Sequence, residues 1–256
     1  MNRYFTAGIL AVLGLSAVAY AADDFWVKKD WKEWTVAECE KMLEDSPWAK
    51  TALVQNENSS NFSSLQGNGS AATARATRHG TGEIQYFVQI LSAETIRQAH
   101  VRQEQLKQGY SKMDEAQKKA FDAKMDGELQ GPPPDVLAFH LDFKARGDNL
   151  AKEINLPVMA ARAWQIATAG GIPQDLILIT DKGVHVTPND FATTRGSDHE
   201  FDFTFLRAPN GEPIIEDGAK SIKVQIPYPA IGDFDKGKKI VEFKLDKMMK
   251  DGKPDY

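Results

Sequence analysis

The chain has 256 residues, 42% of them apolar and 26% charged, with a formal net charge of −5. That length and balance suit one large or two small globular domains with a real core. Mild acidity without any block of Lys and Arg argues against nucleic acid as a partner, because phosphate binding needs clustered cations. A single cysteine, Cys39, rules out an internal disulfide, so stability must come from packing.

The N-terminus has the form of a Sec-type signal peptide. Arg3 gives a positive start, Phe5 to Val18 form an apolar run, and Ala19-Tyr20-Ala21 places small residues at −3 and −1. Cleavage is expected after Ala21, leaving a mature chain of charge −6. The run is shorter than the about 20 residues that span a bilayer, and no later segment is long and apolar enough. The expectation is a periplasmic or secreted protein with no transmembrane segment in the mature chain. No twin-Arg pair and no Cys at the cleavage site point to Tat export or lipidation.

Trp26, Trp31 and Trp34 follow closely. They read as large side chains covering one end of a core, with stacking on a sugar or aromatic ligand as the functional alternative. Thr35 and Glu38 have capping-box spacing, which starts a helix over about 36–45. Trp34 and Cys39 then occupy the two positions of a hydrophobic staple. Cys39 therefore reads as a small buried hydrophobe. A nucleophilic thiol is disfavoured, since Glu38 and Glu40 on either side raise its pKa. Ser46-Pro47-Trp48 turns the chain into a short strand over Thr51–Gln55.

Residues 56–82 are dominated by Ser, Asn, Gly, Thr and Ala. Such a stretch cannot bury enough apolar area to offset its ordering entropy and is expected to be a disordered loop. Asn58, Asn61 and Asn68 each begin an N-x-Ser sequon, which a Ser/Asn-rich loop generates by chance. Glu83–Leu91 is apolar on both faces and reads as a central strand. A helical hairpin follows. Its first arm runs over about 93–108 with Ser92 as N-cap and Gly109 at the C-terminal end. Its second arm starts at Asp114, with Gln117 at capping-box spacing, and ends near Gly127. Met113, Ala116, Ala120, Phe121 and Met125 are its expected inward face. After the stiff spacer Gly131–Pro134, Val136–Phe143 alternates strictly, with Leu137, Phe139, Leu141 and Phe143 inward. Asn155 and Pro157 open a helix to about Ala169 whose apolar residues nearly surround it, so a buried helix is expected.

The last third reads as short antiparallel strands. Leu176–Thr180 and Val184–Thr187 flank the turn Asp181-Lys182-Gly183. Phe201, Phe203 and Phe205 line one face of a strand, Ile222, Val224 and Ile226 another, and Val241, Phe243 and Leu245 the last. The fold class implied is α+β in one domain, residues 22–256. An antiparallel sheet or open β-sandwich lies mainly in the C-terminal half, with a central helical hairpin and one buried helix.

No dinucleotide-binding, P-loop, zincin, Cys-x-x-Cys or nucleophile-elbow motif is present. Asp233-Phe234-Asp235 starts like a calcium loop but lacks its later ligands, so it reads as a turn. No cofactor or metal is implied. Of the five histidines, His79 lies in the Ser/Asn-rich stretch, His100 on the hairpin and His185 on a wet strand face, while His199 sits between Asp198 and Glu200. The ligand-binding candidates are His140 and Asp142. Two apart on one strand, they share a face, as two ligands or a base and its orienting carboxylate would. The plain alternative is two solvated residues of an amphipathic strand. A third partner is needed, and no spacing nominates one.

The Trp-rich head, Ser46-Pro47-Trp48-Ala49-Lys50, the run around Ser92, Ala93 and Arg97, and the tail Phe243–Met248 resemble a group of exported bacterial proteins to which no activity is attached. The resemblance implies a bacterial, extracytoplasmic setting. The empty catalytic checklist points to a non-enzymatic binding or interaction protein, its partner a protein or small molecule. The alternative is an extracytoplasmic hydrolase or metal-dependent enzyme. Its site would be assembled from residues distant in sequence, with His140, Asp142 and Asp198–Glu200 the first suspects.

Overall fold

A computed structural model describes residues 25–55, 82–147, 150–194 and 197–256, with the side chains of 150–153 excepted. The expected signal peptide, His79, the three sequons and nearly all of the predicted loop lie outside the described residues. Among the described residues five α-helices run in chain order: α1 (Phe25–Lys28), α2 (Val36–Glu44), α3 (Glu94–Lys107), α4 (Glu115–Gln130) and α5 (Leu150–Thr168). Eleven strands accompany them: β1 (Ala49–Gln55), β2 (Glu83–Ile90), β3 (Val136–Arg146), β4 (Ile177–Thr180), β5 (His185–Val186), β6 (Asp190–Thr193), β7 (Glu200–Leu206), β8 (Ser221–Tyr228), β9 (Gly237–Lys244), β10 (Met249–Lys250) and β11 (Lys253–Pro254).

The strands form an antiparallel five-stranded sheet of order β1-β2-β3-β7-β6, a four-stranded sheet of order β5-β4-β8-β9 and the hairpin β10-β11. The fold is α+β with mainly antiparallel sheets. Strand is not confined to the C-terminal half: β1, β2 and β3 make up most of the larger sheet.

Alternation decides the two faces of that sheet. Leu137, Phe139, Leu141 and Phe143 of β3 and Phe201, Phe203 and Phe205 of β7 are all buried on one side. Phe139 stacks on Phe203 at 5.4 Å and meets Phe243 of β9 at 5.9 Å, so the apolar faces of the two sheets join in one core. Trp164 of α5 packs on the same side, with its ring 5.1 Å from Phe201 and 5.9 Å from Tyr86. Its indole N–H donates to the Tyr86 hydroxyl at 3.3 Å. The opposite face is polar, and α2, α3 and α4 stand over it.

Both expected capping boxes form, at Thr35–Glu38 and Asp114–Gln117. Trp34 and Cys39 are both buried in the main core. Three expectations need correction. Ser92 does not cap α3; its hydroxyl accepts from Ala138 N at 2.6 Å and ties the helix start to β3. The cap comes from Asp255, whose carboxylate accepts from Glu94 N, Thr95 N and Thr95 Oγ1 at 2.7, 3.1 and 2.5 Å.

In α4, Phe121 and Met125 are buried, but Ala116 and Ala120 are exposed and the helix runs past Gly127 to Gln130. α5 starts earlier than Pro157, which sits inside it. It is buried on one face only: Leu156, Ala160, Ala161 and Trp164 meet the core, while Ile154, Val158, Met159 and Ile166 are exposed. Among the described residues no second layer covers its far side.

Candidate functional site

The polar face owes its composition to register. β3 and β7 pair so that His140 lies directly opposite Asp202, and Asp142 directly opposite Glu200. On the other flank β2 places Gln89 opposite His140 and Phe87 opposite Asp142. A slip of one residue would bury these carboxylates and expose the phenylalanines, which fixes the register strongly.

His140 and Asp142 therefore share a face as expected, and they are not simply solvated. The His140 side chain is only 12% exposed, and its Nδ1–H donates to Asp202 Oδ1 at 2.7 Å. Thr194 Oγ1 donates to the other Asp202 oxygen at 3.3 Å. Burial works against charge on His140. The Asp202 hydrogen bond and charge, with Glu200 and Asp142, outweigh it and raise the ring above the usual imidazole pKa.

His100 of α3 closes the cleft from above. The Gln89 amide donates to the Leu43 carbonyl at 2.9 Å, which leaves its Oε1 to accept from His100 Nε2 at 2.6 Å. That bond sets the His100 tautomer. Burial, with His140 only 5.9 Å away ring to ring, pushes the His100 pKa down to about 4. Two neighbouring imidazoles are thus driven apart: His100 stays neutral, and His140 is favoured as the cation.

A second cluster lies beside the first. His199, at the entrance to β7, donates from Nδ1 to Asp198 Oδ1 at 2.8 Å. Its Nε2 sits 3.8 Å from Asp142 Oδ1 and 3.7 Å from Glu200 Oε1. Among the described residues Asp142 Oδ1 is the one buried side-chain oxygen or nitrogen without a hydrogen-bond partner. Burial is the main cause that raises the Asp142 pKa, Glu200 adding to it and His199 opposing it. Asp142, His199 and Glu200 can each turn one ligand atom to a common point.

Gln89, His100, His140, Asp142, Glu200 and Asp202 line a cleft of about 430 Å³ between the polar face and helices α2, α3 and α4, with His199 just outside its lining. Among the described residues its carboxylates are Glu44, Glu104, Glu128, Asp142, Glu200 and Asp202, and its one Lys, Lys144, is bound by Glu44 at 2.8 Å. Such a site favours cations. It contains a His–carboxylate pair fit for proton transfer. It contains no nucleophile of the thiol type: Cys39 is fully buried elsewhere, and burial pushes its thiol up to about 11.

Sequence spacing pairs His140 with Asp142, but in the fold His140 finds its partner in Asp202 of β7, and Asp142 lies near His199, just before β7. Asp202 and Gln89 carry no linear signal. Their only trace is that each stands at a polar position in an alternating strand. His185 is exposed on β5 and away from the cleft lining. Asp233 and Phe234 lie in the tight turn expected, where Ile231 and Phe234 form an isolated bridge. No protein-family model, curated protein or solved structure matches this chain.

Proposed function

We propose that the chain is an exported, extracytoplasmic protein that binds a small cationic ligand in the cleft on the polar face of the larger sheet, without transforming it. One observation carries this reading: among the described residues six carboxylates line the cleft, against Lys144, paired with Glu44, and His140, paired with Asp202, which leaves an excess of negative charge. Low-dielectric walls around one sign of charge focus the field and concentrate cations. The volume of about 430 Å³ falls in the range of small-molecule sites. The export part rests on the N-terminal sequence alone. Among the described residues no helix is long and apolar enough to cross a membrane.

Thermal unfolding with spermidine, putrescine, arginine and divalent cations, and glucose as neutral control, tests the binding part. Cations should raise Tm saturably by at least about 3 °C, and Glu104→Gln with Glu128→Gln should reduce the shift. No shift with any cation, or an equal shift with glucose, contradicts the reading. N-terminal sequencing of the native protein should return Ala22; Met1 contradicts export.

A hydrolytic second reading is favoured by the His140–Asp202 bond of 2.7 Å, the arrangement of a general base and its orienting carboxylate. Turnover of any ester, amide or phosphoester that vanishes in His140→Gln would replace the binding reading with this one.

A further inference from the structure

We infer that Asp142, His199 and Glu200 form a binding site for one divalent transition-metal ion, of which zinc is the representative, at the edge of the carboxylate-lined cleft. This rests on the cation-binding reading of that cleft and names a class of ligand for it.

Three independent features of the geometry converge on this point. First, β3 and β7 set Asp142 and Glu200 directly opposite each other. Like charges in that position destabilise a sheet unless a cation stands between them. Second, among the described residues Asp142 Oδ1 is buried without a hydrogen-bond partner, which costs free energy unless another group satisfies it. Third, Asp198 accepts the proton of His199 Nδ1 at 2.8 Å. Once Nε2 gives up its proton to an incoming metal, a ring held this way presents a lone pair there, and a carboxylate behind a ligating His is the usual outer partner in metal sites. That lone pair faces the two carboxylate oxygens at 3.8 and 3.7 Å.

Three acceptors turned to one point call for a proton or a cation. A proton on His199 Nε2 does not complete the site, since 3.7 and 3.8 Å exceed hydrogen-bond length. A cation does. Zinc binds His nitrogen and carboxylate oxygen at about 2.0–2.2 Å, so tetrahedral ligand atoms stand about 3.4 Å apart. The two spacings to His199 Nε2 need to close by only a few tenths of an ångström, and the two carboxylate oxygens lie within 4.8 Å of each other.

The nitrogen ligand selects the ion. Calcium and magnesium prefer all-oxygen shells, whereas one imidazole with two carboxylates suits zinc or manganese. Three protein ligands leave a coordination position towards the cleft, where a water or a second small ligand would sit.

The test is titration of the purified full chain, stripped with EDTA and dialysed, with zinc chloride by calorimetry. Magnesium and calcium chlorides serve as controls. Wild type should take up one zinc per chain with micromolar or tighter affinity and bind magnesium and calcium far more weakly. His199→Ala and Asp142→Asn should each weaken zinc by about 30-fold or more.

Melting in EDTA separates lost ligation from lost folding. There Asp142→Asn should be at least as stable as wild type, because it removes one of two facing carboxylate charges. Only wild type should gain Tm on adding zinc. Zinc binding unchanged in both variants, or no saturable binding below about 100 µM, overturns the metal site. A persisting Tm shift with spermidine in that case would leave the cation-binding cleft standing, while its absence too would remove both.

Discussion

The two faces of the five-stranded sheet are built from the same strands by simple alternation, yet they do opposite things. On β7, Phe201, Phe203 and Phe205 point into a dry aromatic core, and Glu200, Asp202 and Thr204 point the other way. The inner face obtains its stability from area and ring packing, which tolerate no loss of volume. The outer face holds partly buried charges that satisfy one another imperfectly, with Asp142 Oδ1 left over among the described residues. Stability therefore resides on one face and unsatisfied binding capacity on the other.

Substitutions on each face sharpen that contrast. Phe203→Ala, on the inner face, should cost about 3–5 kcal/mol, read as a fall in the urea midpoint, because the fully buried ring cannot be replaced without a cavity. Next comes Gln89→Ala on the outer face. It strands the Leu43 carbonyl and His100 Nε2, and should cost about 1–3 kcal/mol by the same assay. A cost above that of Phe203→Ala would break the contrast.

A pH effect should follow from His100. Its value in the folded chain, about 4, lies below the ordinary 6.5, so the unfolded chain takes up this proton first as pH falls. The stability from keeping the ring neutral is fully present above 6.5 and is lost progressively between about 6.5 and 4. His100→Gln, which retains a donor for Gln89, should flatten this part of the stability–pH curve relative to wild type. An unchanged slope would mean that the ring charges in the folded state.

The smallest effect is expected on the outer side of α5. Ile166 is 70% exposed, so Ile166→Ser should stay within about 0.5 kcal/mol of wild type. A large loss there would show that this side of the helix is covered in solution.

How much of this was legible in the sequence depends on the range of the interaction. Period-two alternation placed the Phe residues of β7 and the Leu and Phe residues of β3 on their correct sides, because a strand has only two. The capping boxes of α2 and α4 were readable since both partners lie three residues apart. The cap of α3 was not: Ser92 has the right chemistry and position, but Asp255, 160 residues away at Thr95, takes the role. The helix α5 misled because its composition is apolar all round, and composition does not say how many layers surround a helix. β6, four residues of mixed character, carried no periodic signal at all.

The site divides the same way. That His140 and Asp142 share a face follows from their spacing. That His140 is served by Asp202, and Asp142 by His199 and Glu200, depends on the register of two strands about 60 residues apart, which is set by the packing of the opposite face. The separate roles of two histidines, one buried neutral on α3 and one charge-paired on β3, emerge only when the helix is laid over the sheet.

The most direct test of a cation site on the polar face is anomalous diffraction at the zinc edge, from crystals of the purified chain grown with one equivalent of zinc chloride. The account predicts one dominant peak on the outer side of β3 and β7, within bonding distance of Asp142, His199 and Glu200. A dominant peak remote from that cleft, or none at all, would contradict it.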